Sequence, residues 1–179
     1  MHTGHLIIAE YMTVHTDLDE IWFVISPQNP FKTEKKITGQ EIRKEMLEIA
    51  VSGNSKFTIC DIEFKMPTPQ YTHKTLDLLR KKYPEKQFVL IIGSDNLENF
   101  DRWRNHNKIM EMIDIYVYPR PGSESGRFLT HPSIHLVRAP LVDISSSYIR
   151  ESFKANKPAR YMLPEKVFDF IAKEGFYRK

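Results

Sequence analysis

The sequence predicts an α/β fold in which a doubly wound, mostly parallel sheet carries helices on both faces. Short, nearly continuous apolar runs such as Ile21–Ser26 and Phe88–Ile92 have the length of buried strands. Longer segments such as Gln40–Val51 repeat apolar residues at helical spacing. These two patterns alternate along the chain, and that alternation favours parallel strands with ligands bound beyond their carboxyl ends.

The elements of the first half of the chain end at residues that interrupt each pattern. Proline at Pro84 stops the preceding helix, because the residue before proline disfavours helical backbone, and Gly93 ends a strand. In order, these elements are the helix Leu6–Val14, entered just after Gly4, the strand Ile21–Ser26, the helix Gln40–Val51, the strand Phe57–Phe64, the helix Thr72–Lys82 and the strand Phe88–Ile92.

The second half continues the alternation. Pro119 and Pro121 stop a strand, Pro164 suits a first helical turn, and Gly175 suits a helix C-terminus. The elements are the helix Lys108–Ile113, the strands Ile115–Tyr118 and Ile134–Arg138, and the helices Ser146–Lys154 and Pro164–Glu174.

Composition narrows the class of protein. A chain of 179 residues with 41% hydrophobic and 27% charged residues predicts a single domain, residues 1–179. The net charge of +3 comes without a basic stripe, which disfavours a nucleic-acid partner and suits a small anionic ligand. The single cysteine, Cys60, excludes a disulfide within the chain and favours a buried core residue in a cytoplasmic protein. No apolar stretch approaches the ~20 residues of a membrane span.

The first candidate constellation is His2-Thr3-Gly4-His5. Gly4 suits a tight turn or a close backbone approach to a ligand. His5 would lie in the first turn of a helix, where free N–H groups and the helix dipole favour an anion. Two imidazoles there could donate to a phosphate chain. The alternatives are that the two histidines are simply exposed or that they belong to a frayed terminus.

The second constellation runs from Asp143 to Arg150 and contains three successive serines. Serine hydroxyls at a helix start either cap free N–H groups or bind an anion. Arg150 follows Ser145 by little more than one helical turn and could return to the same phosphate with two parallel donors. A plain serine N-cap with a solvated arginine is the alternative.

Taken together, HxGH near the start and ISSSxIR near the end resemble the signature pair of the HxGH nucleotidyltransferase superfamily. Further segments are similar to one branch of it, the nicotinate-nucleotide adenylyltransferases. They are Ile92–Leu97 with Phe100 and Trp103 (GxDxLxxFxxW), Pro69–Thr72 with Thr75–Leu76 (PSYTxxTL), Tyr118–Gly122 (the RPG loop) and the tail around Leu163–Glu165 and Gly175–Tyr177. The resemblance covers nearly the whole chain.

The resemblance implies a Rossmann-like fold and transfer of AMP from ATP to nicotinate mononucleotide, with pyrophosphate released. It implies catalytic roles for His2, His5 and Arg150, and an ATP site made of Gly4, His5, Gly93, Asp95, Ile144, Ser145, Ser146 and Arg150. The mononucleotide site would comprise Lys32, Tyr71, Thr72, Trp103 and Arg120. Mg²⁺ would be carried by the ATP phosphates, with no metal site of the protein's own.

The proposed site residues also have ordinary structural alternatives. Trp103 offers a stacking face for the pyridine ring but also fits core packing. Asp95 suits a ribose hydroxyl or a helix N-cap, and Lys32 a phosphate or plain solvent exposure. His73 and Lys74 replace an apolar–acidic pair of the family, which puts fine substrate contacts in doubt.

The family's usual first strand and its glycine-rich stretch, GGSFNPIH, have no counterpart before His2. We expect the sequence to start late on a longer protein. The alternatives left open are another adenylyltransferase of the superfamily, acting on nicotinamide mononucleotide or phosphopantetheine, and an inactive nucleotide-binding module. Nicotinate and nicotinamide preference and oligomeric state, including a homo-oligomer, are left open as well.

Overall fold

A computed structural model describes residues 1–27, 39–123 and 126–177. Helices and short parallel strands alternate in it, which confirms the predicted fold class. The helices are α1 (Thr3–His15), α2 (Gln40–Val51), α3 (Thr72–Lys82), α4 (Ser94–Glu98), α5 (His106–Met112), α6 (Ser146–Lys154) and α7 (Glu165–Glu174). Three short 3₁₀ turns lie at Ile62–Lys65, Phe100–Arg102 and Arg160–Met162.

The described strands form two separate parallel sheets. One pairs β1 (Ile21–Val24) with β2 (Phe57–Cys60), so that Ile21 lies opposite Phe57. The other has the order β3 (Leu90–Gly93), β4 (Ile115–Tyr118), β5 (Ile134–Leu136). The parallel ladders confirm the predicted, mostly parallel arrangement of the strands.

Several predicted strands are longer than the observed ones. The strand predicted at Phe57–Phe64 ends at Cys60, because the chain turns into the 3₁₀ segment Ile62–Lys65, in which Glu63 is buried. Apolar composition alone does not separate these two conformations. The first helix begins at Thr3 rather than at Leu6, so Gly4 lies inside it. Pro164 is the N-cap of α7 and not its first helical residue.

The backbone forms two compact units. The first comprises the described residues of 1–25, 39–61 and 142–177, and the second comprises residues 26–27, 62–123 and 126–141. The division into two compact units does not decide how many domains the chain has, so a single domain stays a prediction.

The first unit is held together by an apolar cluster that joins α2, α6 and α7. Its fully packed members include Ile149 and Phe153 of α6 and Val167 and Ile171 of α7, with Met46 from α2. Burying side chains of this size stabilises the fold by about 1.5–3 kcal/mol each. One face of α6 is therefore fixed in the core, and this orients the polar residues of its first turns.

The second unit packs its helices on the three-stranded sheet. Val117 and Ile115 of β4 meet Phe100, Ile109 and Leu97, and all five are almost fully buried. Cys60, in the first unit, is also buried, as expected for a core thiol. None of the helices in the described ranges is long and apolar enough to cross a membrane.

Candidate active site

Two imidazoles lie side by side at the start of α1. His2 is the N-cap, with extended backbone (φ −141°, ψ 167°), and its backbone N–H donates to His5 Nδ1 at 3.4 Å. The two ring centroids are 3.8 Å apart. His2 is buried, with 5% of its surface exposed, and His5 is exposed. The pair is therefore an ordered part of a helix start and not a frayed terminus.

Gly4 is explained by packing around His2. A Cβ on Gly4 would lie 2.9 Å from Val142 Cγ1, 3.1 Å from His2 Nδ1 and 3.2 Å from His2 Cε1. These separations are below ordinary van der Waals contact. Of the two predicted roles of Gly4, a tight turn is not observed, because Gly4 lies inside α1, and a close approach to a ligand stays a prediction. Glycine instead lets the chain at Val142 and the His2 ring approach the helix closely.

The serine cluster begins α6 with a side-chain cap. Ser145 Oγ accepts a hydrogen bond from the backbone N–H of Tyr148 at 3.1 Å. Capping uses an oxygen lone pair, so the hydroxyl proton of Ser145 is still available to an anion. Arg150 Nη2 donates to Ser147 Oγ at 3.2 Å, and the arginine is half-buried. Ser146 and Ile144 flank the cap, each half-buried.

The first unit brings these two motifs together. Val142, which precedes the serines, packs against Gly4 between the two histidines. Burial lowers the pKa of the amino group at Met1, and the charges of Arg150 and Arg43 lower it further. The guanidinium groups of Arg150 and Arg43 thus act electrostatically on the backbone next to His2. The contact at Val142 and the influence of Arg150 at Met1 are the two observations that connect the motifs.

The second unit contains a cluster at the carboxyl end of β3. Gly93 lies opposite Tyr118 in the ladder, and Arg120 follows that strand directly. Ser94 Oγ accepts the backbone N–H of Arg120 at 2.8 Å, and Arg120 Nε lies 4.0 Å from Asp95 Oδ1. A Cβ on Gly93 would be 2.8 Å from Arg120 Cγ. Glycine therefore leaves room here for the side chains of both Arg120 and Asp95.

This cluster also affects a nearby phenol. Burial raises the pKa of Tyr118, the charge of Asp95 raises it further, and the charge of Arg120 opposes both. The phenol stays protonated at neutral pH and can act as a hydrogen-bond donor. The structure thus places Arg120, predicted for the mononucleotide, beside Gly93 and Asp95, predicted for ATP. It leaves the roles of these residues as predictions.

Another group in the second unit surrounds the start of α3. Tyr71 is the N-cap of α3, and the N–H groups of the first turn, including that of Thr72, precede the first intrahelical hydrogen bonds. Trp103 is partly buried against the core and lies 5.3 Å from the Phe100 ring, centroid to centroid. Core packing of Trp103 is thus observed, and stacking on a pyridine ring stays a prediction.

Two residues near the candidate site were not predicted, and one predicted residue lies outside the described residues. Lys32 lies outside the described residues. Arg43 on α2 was not predicted, because the sequence of a helix does not show which distant groups a basic side chain will lie near. Ser94 was missed although it stands between the predicted Gly93 and Asp95. Within the described ranges, no group of three or more His, Cys, Asp or Glu side chains is arranged to hold a metal ion.

Comparison with known proteins gives a consistent result. The sequence model of the cytidylyltransferase-like family matches residues 1–152. A Cytophaga hutchinsonii protein named "probable nicotinate-nucleotide adenylyltransferase" is 45% identical over 99% of this chain and 92% of its own length. A Flavobacterium johnsoniae protein of the same name is 44% identical over 100% of this chain and 94% of its own length.

Similar folds are found among solved structures. The nicotinic acid mononucleotide adenylyltransferase of Plasmodium falciparum, complexed with NaAD, superposes with a TM-score of 0.81. The superposition covers 99% of this chain and 91% of that one, at 19% sequence identity. A Vibrio parahaemolyticus structure named "putative nicotinate-nucleotide adenylyltransferase" gives a TM-score of 0.70 at 18% identity, over 99% of this chain and 88% of that one. At these identities the likeness establishes the fold.

Proposed function

Because this chain belongs to the nicotinate-nucleotide adenylyltransferase family of cytidylyltransferase-like proteins, we propose that it transfers AMP from ATP to nicotinate mononucleotide. The products are nicotinate adenine dinucleotide and pyrophosphate, in a step of NAD biosynthesis. The observation that supports the proposal is the packing of Val142, which precedes the serine cluster, against Gly4 between the two histidines, inside one unit. The donors of the two motifs fit a triphosphate.

The reaction needs positioning and charge stabilisation more than proton transfer. A phosphate oxygen of the mononucleotide attacks the α-phosphorus of ATP, a new P–O bond forms, and the bond from the α-phosphorus to the bridging oxygen breaks. Pyrophosphate leaves with that oxygen. The attacking group is already an anion, so no general base is required. Donors that are fixed before the reaction then stabilise the charge that develops on the phosphates.

We assign the phosphate contacts to the first unit. His2 and His5 would stabilise the α- and β-phosphate oxygens from the start of α1, a 13-residue helix whose dipole also favours an anion. Ser145, Ser146 and Arg150 would hold the β- and γ-phosphates as pyrophosphate forms. Ser145 can do so while capping α6, because it donates with its proton and accepts with a lone pair.

The second unit would bind the rest of the two substrates. Gly93 and Asp95 would contact the adenosine moiety, and Arg120, beside them, the mononucleotide phosphate. The N–H groups at Tyr71 and Thr72 would receive the nicotinate carboxylate at the start of α3. Trp103 would stack on the nicotinate ring. The assignment of Tyr71 and Thr72 is supported by their position at a helix start, and all three residues are partly exposed. Lys32 remains assigned to the mononucleotide.

Mg²⁺ would enter as part of the substrate, bound to the ATP phosphates. The side chains that we assign to those phosphates are imidazoles, hydroxyls and a guanidinium, which suit phosphate oxygens and not a hard cation. We also propose that both units belong to one nucleotidyltransferase domain, because the family match at residues 1–152 runs through both of them. A cytoplasmic location and a homo-oligomeric assembly remain proposals.

The test compares three acceptors at equal ATP concentration. Pyrophosphate release is measured with nicotinate mononucleotide, nicotinamide mononucleotide and phosphopantetheine, and the product is identified by mass. We expect fastest release with nicotinate mononucleotide and a product of the mass of nicotinate adenine dinucleotide. A higher kcat/KM for another acceptor would assign the chain to a sibling activity. ATP binding without pyrophosphate release from any acceptor would indicate an inactive nucleotide-binding module.

A further inference from the structure

A buried histidine near the start of α3 makes contacts that the proposed reaction does not use. His73 is the second residue of α3, and only 5% of its surface is exposed. Burial lowers the pKa of His73. The imidazole is therefore neutral at neutral pH. A neutral ring carries one donor and one acceptor nitrogen, which suits a fixed hydrogen bond.

His73 contacts Asn105, which lies in the same segment as Trp103. His73 Nε2 lies 3.2 Å from the side-chain amide nitrogen of Asn105. Asn105 precedes α5 directly and has left-handed backbone (φ 57°, ψ 40°), which asparagine tolerates better than most residues. This pair therefore connects the first turn of α3 to a residue that is two positions beyond Trp103.

A second contact joins the same two segments. The guanidinium carbon of Arg104 lies 4.9 Å from the centroid of the Tyr71 ring, within the range of a cation–π interaction. The Tyr71 and His73 rings are also stacked, with centroids 6.0 Å apart and planes 27° from parallel. Residues 71–73 and 103–105 are thus joined by two polar or cationic contacts, side by side.

The hydrogen bonding of His73 is incomplete. Its Nδ1 is buried and has no hydrogen-bond partner in the part of the chain that the structure describes. A buried polar atom without a partner destabilises a fold, and an apolar side chain of similar size would avoid that penalty. A role in stability alone therefore does not account for a histidine at this position.

We infer that His73 and Asn105 are positioning residues that hold Trp103 at a fixed place relative to the backbone N–H groups of Tyr71 and Thr72. The inference rests on the proposed function, in which those groups form the pyridine-ring subsite. If the tether is lost, the helix start can shift relative to the indole, which stays packed on Phe100, and binding must order the two again. The tether therefore sets the affinity for the mononucleotide and leaves the chemistry at the phosphates unchanged.

Steady-state kinetics on the full chain test this inference. His73→Leu removes the hydrogen bond from one side, and Asn105→Gly removes it from the other while keeping the left-handed backbone accessible. Each should raise the KM for nicotinate mononucleotide about threefold to tenfold, or about 0.7–1.4 kcal/mol. The KM for ATP and kcat should not change. His73→Gln, which keeps a polar group at this position, should recover part of the loss.

Two further readouts separate positioning from a general structural role. The double variant should be no worse than either single variant, because both remove the same interaction. The midpoint of thermal unfolding of His73→Leu should equal or exceed that of the unsubstituted protein. Lys81→Ala, an exposed change in the last turn of α3, is the matched control and should alter neither KM.

An unchanged KM for the mononucleotide in both single variants would overturn the inference, as would equal rises in both KM values. If His73→Leu does not fold, Asn105→Gly alone decides. Failure of the unsubstituted protein to use nicotinate mononucleotide would overturn the proposed function together with the inference. Normal activity with unchanged KM values in the variants would overturn the inference only.

Discussion

Gly4→Ala tests whether the close packing around His2 matters for catalysis. The added Cβ would lie 2.9 Å from Val142 Cγ1, about 0.6 Å short of an ordinary carbon–carbon contact of ~3.5 Å. It would also press on the His2 ring from 3.1 Å. Either the segment at Val142 or the imidazole must therefore move by several tenths of an ångström.

The effects on stability and on turnover should separate. Overpacking costs about 1–3 kcal/mol, and alanine in place of glycine inside a helix returns about 1 kcal/mol. The net loss of unfolding free energy is then about 0–2 kcal/mol. A displaced transition-state donor is far more costly, since a shift of ~1 Å can lower a rate about 10²-fold. We expect kcat to fall roughly 10–100-fold.

Pyrophosphate release and thermal unfolding, measured on the same preparations, check this result. Gly53→Ala is the matched control, because its Cβ would meet no atom within 4 Å and it lies in the same unit. That control should keep kcat. If Gly4→Ala is as active as Gly53→Ala, the placement of the His2 ring is not important for the reaction.

Three other substitutions probe the site and its support. His5→Ala should lower kcat roughly 10²–10³-fold, the range for one preorganised donor, with wild-type secondary structure by circular dichroism; an unchanged kcat contradicts its role. Gly93→Ala places a Cβ 2.8 Å from Arg120 Cγ. We therefore expect a several-fold higher KM for at least one substrate. Unchanged KM values would argue against Gly93, Asp95 and Arg120 as a substrate site. Thr75→Val removes the 2.6 Å hydrogen bond to buried Glu63 and should cost about 1–3 kcal/mol, seen as a fall of roughly 2–12 °C in Tm; an unchanged Tm would show that Glu63 finds another partner.

The elements of the fold with strong periodicity could be predicted to the residue. The bounds of α2, α3 and α6 agree with the sequence pattern, because amphipathic spacing and the breaks at Ser145 and before Pro84 mark their ends. The strand at Phe57 was predicted too long, since an apolar run does not reveal where the chain leaves the strand for the 3₁₀ turn at Ile62–Lys65. The separation of the strands into two sheets depends on long-range pairing, which no local pattern encodes.

The sequence predicts which residues belong to the candidate site, and that membership stays a prediction, whereas the local geometry around Gly4 could not be predicted. The order of the two motifs indicated a shared phosphate site, and Val142 against Gly4 brings them together. The reason for Gly4 was not predictable, because it depends on a residue about 140 positions away in the sequence. The link between His73 and Asn105 likewise joins residues whose separation in the chain gives no sign of contact.

The measurement closest to the central claim is an NMR titration with a non-hydrolysable ATP analogue and Mg²⁺. It follows the imidazole resonances of His2 and His5 and the guanidinium resonances of Arg150, assigned by single substitutions. If the two motifs hold one triphosphate, both sets of resonances shift with the same apparent Kd. Shifts confined to one set, or two sets with different saturation curves, would show that the imidazoles and the guanidinium do not share a ligand.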